Sequence, residues 1–280
     1  MRTRRPPTLV PPRIARIIVP MDSSPPSTGT VSPAALARVA NAIARATRVT
    51  VLTGAGVSAA SGVPTFRGPD GLWRAHRPEQ LATPEAFARD PRLVWEWYEW
   101  RRQRIARCRP NRAHEVLAGW SRRLQGFTLV TQNVDGLHEL AGTGHTVRFH
   151  GSIWELRCAV PCTRGRFPWR DETVPLPRLP PACPHCGGDA RPAVVWFGEP
   201  IDEHVLEVSI AAAACDVFLV VGTSAVVYPA AALVPAAAAH GALTVEVNPE
   251  ATAASSIVDV VLAEAADLVL PQVDALLNAG

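Results

Sequence analysis

Lysine is missing from this chain altogether: its 28 basic residues are all arginine. Hyperthermophile proteomes favour lysine and glutamate, so this excess does not read as adaptation to heat. With abundant alanine and proline it reads as the codon bias of a GC-rich genome. No apolar run approaches the length needed to span a bilayer, which excludes a transmembrane helix. Positive charge is also scarce where it would count. Residues 1–20 hold five arginines and no acid, and the other 23 arginines stand against 25 acids, a net of −2. A body so near neutrality gives no reason to expect a specific nucleic-acid partner.

Targeting signals are weak too. Residues 1–33 are rich in Pro, Arg, Ser and Thr, and their longest apolar stretch is Ile17-Ile18-Val19. That is too short for a signal-peptide core, and prolines spoil the amphipathic helix of a transit peptide. The segment reads as a disordered extension, Met21 is a candidate start, and the expected location is cytoplasmic.

What the chain does have is a core. At 48% hydrophobic, its 280 residues suffice for one large domain or two. Apolar runs at 49–53, 127–131, 217–221 and 243–247 end in polar or glycine-rich turns. Ala-rich helical stretches such as 207–214 and 229–239 lie between them, and short runs near 146–149 and 267–270 could add strands. This is the pattern of an α/β fold with a doubly wound parallel, Rossmann-like sheet. Two stretches break the rhythm: a Trp-rich helical insertion over 66–110, and 155–193 with four cysteines and many prolines.

Those cysteines form two close pairs. Cys158 and Cys162 are followed, after 20 residues, by Cys183 and Cys186, the arrangement of a structural zinc ribbon. Cys183-Pro184-His185-Cys186 has the usual two-residue spacer, whereas Cys158 and Cys162 are separated by three residues. Four thiolates would close a tetrahedral site for one structural zinc and leave no catalytic position open. A disulfide or a set of reduced thiols is the alternative, and His185 could substitute as a ligand. Cys108 and Cys215 have no partners in the pattern.

The strand Val49–Thr53 runs into Gly54-Ala55-Gly56. Glycines there permit a sharp turn and close approach of a ligand, and a helix is expected to follow with its free N–H groups aimed at a pyrophosphate. The third glycine of the dinucleotide fingerprint is missing, since residue 59 is Ala, and no acidic strand end follows at the expected distance. An ordinary nicotinamide dehydrogenase is therefore a poor match. At 131–138, Gln132, Asn133 and Asp135 crowd one strand end, more polar side chains than a turn requires. They suit a sugar and an amide.

Seven motifs occur in order: GAGVS, SGVPTFRG, TQNVDGLH, His150-Gly151, VVWFGE at 194–199, GTS at 222–224 and VNPE at 247–250. Together they resemble the sirtuins, the NAD-dependent protein lysine deacylases, from about Ala34 to about Asn278. The resemblance implies a Rossmann-like domain of 34–65, 111–154 and 194–280. The insertion 66–110 and the zinc ribbon 155–193 would form a second, smaller domain, with NAD and substrate in the cleft between. It implies NAD contacts from Gly54, Ala55, Gly56, Val57 and Ser58, and from Thr65, Phe66, Arg67 and Trp73. Further contacts fall on Gln132, Asn133, Val134 and Asp135, on Gly222, Thr223 and Ser224, on Asn248, Pro249 and Glu250, and on Ala266. Asp135 would hold the carboxamide, Asn133 and Gln132 the ribose. Phe66 would shield the reactive face, excluding water that would otherwise capture the developing cation, and Arg67 would hold the flexible loop and phosphates. Thr223 and Ser224 can donate to phosphate, and Asn248 and Glu250 can reach the adenosine ribose.

His150, with Asn133 and Asp135, falls at the family's catalytic positions. An imidazole of pKa about 6.5 can take a hydroxyl proton at neutral pH. In the implied reaction the acyl oxygen attacks the ribose as nicotinamide leaves, His150 deprotonates a ribose hydroxyl, and water completes release of lysine and O-acyl-ADP-ribose. His138 matches a structural histidine; His114 and His145 match no catalytic position. Tyr98 and Arg101, spaced i,i+3 on a helix over 92–107, resemble with Thr65 the class III sirtuins, which accept succinyl and malonyl as well as acetyl groups. An arginine fork and a phenol suit a carboxylate. The plain alternative is a solvated helix face shared with Arg102 and Arg104. Val195, Trp196 and Phe197 match the edge that pairs with acylated-lysine proteins bound as extended peptides, where an internal core strand is the bland reading. Protein ADP-ribosyl transfer, and a non-catalytic NAD-sensing or zinc-ribbon protein, are the competing functions. The retained His150 favours deacylation over transfer, which needs no base for that step.

Overall fold

A computed structural model describes residues 31–65, 78–160, 162–163 and 167–279. The expected extension, up to residue 30, and the expected cofactor contacts Phe66, Arg67 and Trp73 lie outside the described residues.

Six strands form a parallel sheet. They are β1 (Val49–Thr53), β2 (Phe127–Thr131), β3 (Thr146–Arg148), β7 (Val217–Val221), β8 (Leu243–Val247) and β9 (Val260–Leu262), in the order β3-β2-β1-β7-β8-β9. Every residue of β1 and β7 is buried, as strands covered on both faces must be. Alternation along them assigns the two faces. Val51, Leu129, Leu219 and Val245 pack against helices α1 (Pro33–Arg45), α5 (Arg112–Arg123) and α9 (Ala266–Ala279). Leu52, Val130, Phe218 and Val220 pack against α7 (Glu203–Ala213) and α8 (Leu233–Ala239). The sheet is thus doubly wound. Strand order reverses between β1 and β7, and the crevice at their carboxyl ends is where ligands bind in such folds.

Two expectations are corrected. The apolar run at 267–270 is helical and not a strand. It opens α9, which buries Ala266, Val269, Leu270 and Val273 at helical spacing while Leu268 stays 52% exposed. A short apolar run does not by itself distinguish strand from helix, and the last strand is β9. The helix expected after Gly54-Ala55-Gly56 is a seven-residue 3₁₀ turn, Ala55–Ser61, stopped by Gly62 in the left-handed conformation.

The smaller layer is an antiparallel sheet, β5-β4-β6, of β4 (Gly151–Cys158), β5 (Trp169–Arg170) and β6 (Ala190–Val194). The chain passes into it at Gly151, where a Cβ would lie 2.1 Å from the Ala193 carbonyl oxygen. Helices α2 (Pro78–Leu81), α3 (Pro84–Arg89) and α4 (Pro91–Ile105) cover it. Thr83 and Asp90 cap the last two by accepting from Ala86 and Leu93 N–H. Their shared core holds Trp95, Tyr98, Ile153, Leu156 and Trp196. Arg102 is fully buried and pins α4 down, donating to the carbonyls of Ile153, Asp171 and Thr173 at 2.9–3.0 Å and to the Asp171 carboxylate at 2.9 Å.

Candidate active site

The turns after β1 and β7 pack backbone on backbone. Gly56 N–H donates to Gly222 O at 2.7 Å. Gly222 has φ +59°, and a Cβ there would lie 2.3 Å from Val57 N. Only glycine fits this crossing. Side chains then tie neighbouring turns together. Gln132, after β2, donates to Thr223 Oγ1 at 3.0 Å. Asn248, after β8, donates to the Thr223 carbonyl at 3.1 Å.

Beneath these turns lies a buried polar network. Ser58 donates to Asp135 Oδ2 at 2.8 Å. Leu137 N–H, which opens the short helix α6 (Leu137–Leu140), donates to Oδ1 at 2.9 Å. Asn133 Nδ2 donates to Gly54 O at 3.0 Å and to Ser58 Oγ at 3.3 Å. Because Ser58 spends its proton on Asp135, His114 Nε2, 3.3 Å away, serves as donor to Ser58. Thr53 donates to Thr131, so His138 Nε2 donates to Thr53 at 3.0 Å. Burial pulls the His114 imidazole down to about 4 and His138 well below its ordinary value, so both are neutral. Burial pushes the Asp135 carboxyl up, while the Leu137 N–H and the Ser58 hydroxyl pull it back.

His150 stands between the two sheets, after β3 and before β4. Its Nδ1 is 3.1 Å from the Gln132 carbonyl oxygen. A carbonyl only accepts, so Nδ1 carries the proton and Nε2 keeps its lone pair. Burial lowers the His150 pKa and the carbonyl contact partly restores it. The residue is a neutral base with an oriented lone pair.

A cavity of about 1060 Å³ runs along this crevice, at the upper end for ligand pockets. Gly54, Ala55, Gly56 and Thr65 line it from the β1 side, and Gln132, Asn133, Val134 and His150 from the β2 and β3 side. Gly222, Thr223 and Ser224 line it after β7, and Asn248, Pro249 and Glu250 after β8. Tyr98, Arg101, Val195, Trp196 and Phe197 reach it from the small layer. Val57, Ser58, Asp135 and Ala266 do not line it. Val57, Ser58 and Ala266 are packed inside, and Asp135 lines a second cavity of about 580 Å³ with Cys108, Leu137 and Trp154. Among the residues that sequence reasoning missed are Asn111, the cap of α5, which donates to the Val57 carbonyl at 2.8 Å, and His114, which reaches Ser58, and the apolar wall of Ile201, Leu206, Val226 and Val227. Their sequence signal was the ordinary one of a helix cap and of core residues.

At the small-layer end, Arg101 is 7% exposed, and its guanidinium lies 4.8 Å from the Trp97 ring centre and 5.7 Å from that of Tyr98. Arg101 and Arg102 are both buried and only Arg104 of the three is exposed, so the solvated-face reading is overturned.

The four cysteines converge from β4, the following loop and the turn before β6. Their sulfurs all lie within 4.8 Å of one another, with Cys158–Cys186 at 3.6 Å and Cys162–Cys183 at 3.9 Å. Tetrahedral zinc with bonds of about 2.3 Å sets its sulfurs about 3.8 Å apart. The donor set fits one structural zinc, the three-residue spacer does not prevent closure, and His185 stands outside the cluster, against Trp169.

A model of the Sir2 family matches residues 54–229. A protein of Aquifex aeolicus named NAD-dependent protein deacylase is 51% identical over 229 residues, covering 80% of this chain and 93% of that protein. A protein of the same name from Thermus thermophilus is 52% identical over 212 residues, covering 74% and 81%. Among solved structures, a complex of a Sir2 homologue with NAD superposes with a TM-score of 0.79 at 42% identity, covering 86% of this chain and 94% of that one. A Sir2 protein bound to a myristoylated histone peptide superposes with a TM-score of 0.71 at 30% identity, covering 89% and 98%. With a matching family model, relatives at half identity and the same two-layer fold around one crevice, this chain belongs to the Sir2 family.

Proposed function

We infer that the chain is an NAD-dependent protein-lysine deacylase, and we propose the residue roles and acyl range that follow. The observation that carries this reading is the cavity itself. It joins strand-end turns suited to a dinucleotide, a neutral histidine with a free Nε2, and an arginine–tyrosine pair. Relatives at about half identity are named deacylases, which favours deacylation over ADP-ribosyl transfer to protein.

NAD, when bound, supplies the ribose that receives the acyl group as nicotinamide leaves. The glycine crossing at Gly56 and Gly222 lets the backbone approach phosphates, and Thr223 and Ser224 add donors there. Asn248 and Glu250 meet the adenosine ribose. Gln132 and Asn133 hold the other ribose, and Asp135, fixed by Ser58 and Leu137, positions Asn133 through the Ser58 hydroxyl. His150 takes a hydroxyl proton at Nε2 while the Gln132 carbonyl holds the ring. Phe66, Arg67 and Trp73 complete the cofactor contacts in this proposal. The substrate is an acylated lysine in an extended peptide, laid along Val195, Trp196 and Phe197 beside the edge strand β6. Tyr98 and Arg101 receive an acyl carboxylate, so succinyl and malonyl groups are accepted beside acetyl. Cys158, Cys162, Cys183 and Cys186 hold zinc, which ties the ribbon together. The large sheet with its helices forms the NAD domain and the antiparallel sheet with α2–α4 the smaller one, the chain crossing over at Gly151. Among the described residues no helix is long and apolar enough to cross a membrane, and we place the protein in the cytoplasm.

The test compares one peptide bearing acetyl-, succinyl- or malonyl-lysine, in wild type and Arg101→Met, with products identified by mass. We expect nicotinamide, free lysine and O-acyl-ADP-ribose. Loss of a charge-assisted contact of about 1.5–3 kcal/mol should lower kcat/KM for succinyl about 10- to 150-fold more than for acetyl. Arg101→Lys should restore only part, because an ammonium lacks the fork. Equal losses on both acyl groups would refute the carboxylate role, and ADP-ribose found on protein in place of O-acyl-ADP-ribose would refute deacylation.

A further inference from the structure

Trp196 lies on the peptide edge by its sequence position, yet only 3% of its surface is exposed. Its side chain turns inward, toward Tyr98. The indole N–H donates to the Tyr98 phenol oxygen at 2.9 Å. An indole N–H can only donate, so the Tyr98 oxygen is the acceptor here. A phenol that accepts still has one proton to give. Among the described residues, that proton has no recorded acceptor. Tyr98 is itself 2% exposed and lines the large cavity beside Arg101. A buried hydroxyl with an unspent proton is a donor awaiting a partner, and the space before it is the cavity.

The tryptophan is held on every side. The Arg191 guanidinium lies over its ring, 3.4 Å from the centre. Arg191 forms a two-pronged ion pair with Glu199, and Glu199 Oε2 accepts from the Trp196 backbone N–H at 2.9 Å. Phe87 packs with its ring centre 5.4 Å away. An indole clamped this way has one orientation, and so does the hydrogen bond it gives. Burial pushes the Tyr98 phenol above its ordinary value, so it stays protonated at neutral pH.

We propose that Trp196 is a positioning residue for acyl selection: by occupying the acceptor side of the Tyr98 oxygen it commits the Tyr98 O–H to donate into the cavity, toward an acyl carboxylate held by Arg101. A freely rotating phenol could also accept, and would welcome a neutral or donor-bearing acyl group equally well. A phenol whose acceptor side is taken discriminates for acceptors. This inference rests on the reading that Tyr98 and Arg101 receive a carboxylate. It adds a residue that touches neither substrate carboxylate nor cofactor.

The test is a double-mutant cycle on the ratio of kcat/KM for succinyl-lysine to that for acetyl-lysine in one peptide. Trp196→Phe keeps a ring under Arg191 and removes the N–H. Losing the orientation of one neutral hydrogen bond, about 0.5–1.5 kcal/mol, should lower the ratio roughly 2- to 13-fold. Tyr98→Phe should lower it too, and adding Trp196→Phe in that background should lower it no further. Should Trp196→Phe fold poorly, 3-benzothienylalanine at position 196, which has the shape of tryptophan without the N–H, gives the same measurement. An unchanged ratio in both position-196 variants, with Arg101→Met and Tyr98→Phe still lowering it, overturns the role of Trp196 and leaves the carboxylate reading standing. A further drop of the ratio in the Tyr98→Phe background also overturns it, since the effect would not run through the phenol. If Arg101→Met and Tyr98→Phe leave the ratio unchanged, the carboxylate reading fails and this proposal falls with it.

Discussion

The two walls of the crevice are built on opposite principles. The large-sheet wall is made of backbone. Strand ends turn, glycines let turns touch, and short polar side chains tie one turn to the next within a few residues of its strand. The small-layer wall is made of long side chains from distant segments. Arg102 reaches from α4 to Asp171 and Thr173, Trp196 reaches back to Tyr98, and four cysteines meet from segments up to 28 residues apart. The first wall stands on a sheet whose strands are buried on both faces. The second has three strands, one of only two residues, and shares its core with the helices that cover it. Rigidity is local in one wall and borrowed in the other, and perturbations should separate them.

The largest expected effect concerns the cross-link. Structural zinc contributes about 10–16 kcal/mol to folding in isolated finger peptides. Cys183→Ser should lose the metal, about one per chain in the wild type, and loosen β4–β6 while the large sheet persists. Zinc content and limited proteolysis, with NAD binding as the control on the large sheet, measure this. Full zinc content or unchanged protection of the small layer would break the contrast.

Next comes chemistry at the seam between the walls. His150→Ala removes a general base, a loss of about 10²–10⁴-fold in turnover, or roughly 2.7–5.5 kcal/mol. NAD should still bind, because the proposed nucleotide end of the site is built of backbone turns that His150 does not hold. Turnover like the wild type's would remove His150 from the mechanism, and loss of NAD affinity would show that the seam supports the large wall.

The smallest effect tests how far the buried polar network is a weakness of the stronger wall. His114 titrates near 6.5 when unfolded and at about 4 when folded. The unfolded chain therefore takes up the proton first, and stability is full above about pH 6.5 and falls as pH drops towards 4. The shift is equivalent to about 3 kcal/mol. Urea unfolding at pH 7 and pH 4.5 should show a smaller difference in His114→Gln than in the wild type. The same pH dependence in both would mean that the histidine does not govern acid stability.

How legible each wall was in the sequence follows from the same contrast. Gly54, Gly56, Gln132, Asn133, Gly222, Thr223 and Asn248 sit at the ends of apolar runs, so period and punctuation located them. The zinc ligands were visible because their spacing is short. A solvated face stood as the alternative for Arg101 beside Arg102, since helical periodicity does not say which side another layer will cover. The run at 267–270 looked like a strand because four apolar residues carry no period. Ser58 and Asp135 were placed against the cofactor, whereas Ser58 turns into the core and Asp135 faces a separate cavity.

By itself, then, the sequence determined the doubly wound sheet, the glycine and polar turns at its strand ends, the histidine of the seam and the four-thiolate cluster. Each is written in short local patterns, an apolar run with its turn or a close pair of cysteines, where covalent geometry and local hydrogen bonds limit the outcomes. Only the tertiary structure decided that Trp196 faces inward to Tyr98, that Arg102 is buried, and that His114 reaches Ser58 through a neutral imidazole. Those facts depend on which surfaces meet across 50 to 100 residues, and on burial, which costs a polar group its water and so selects the partner it keeps.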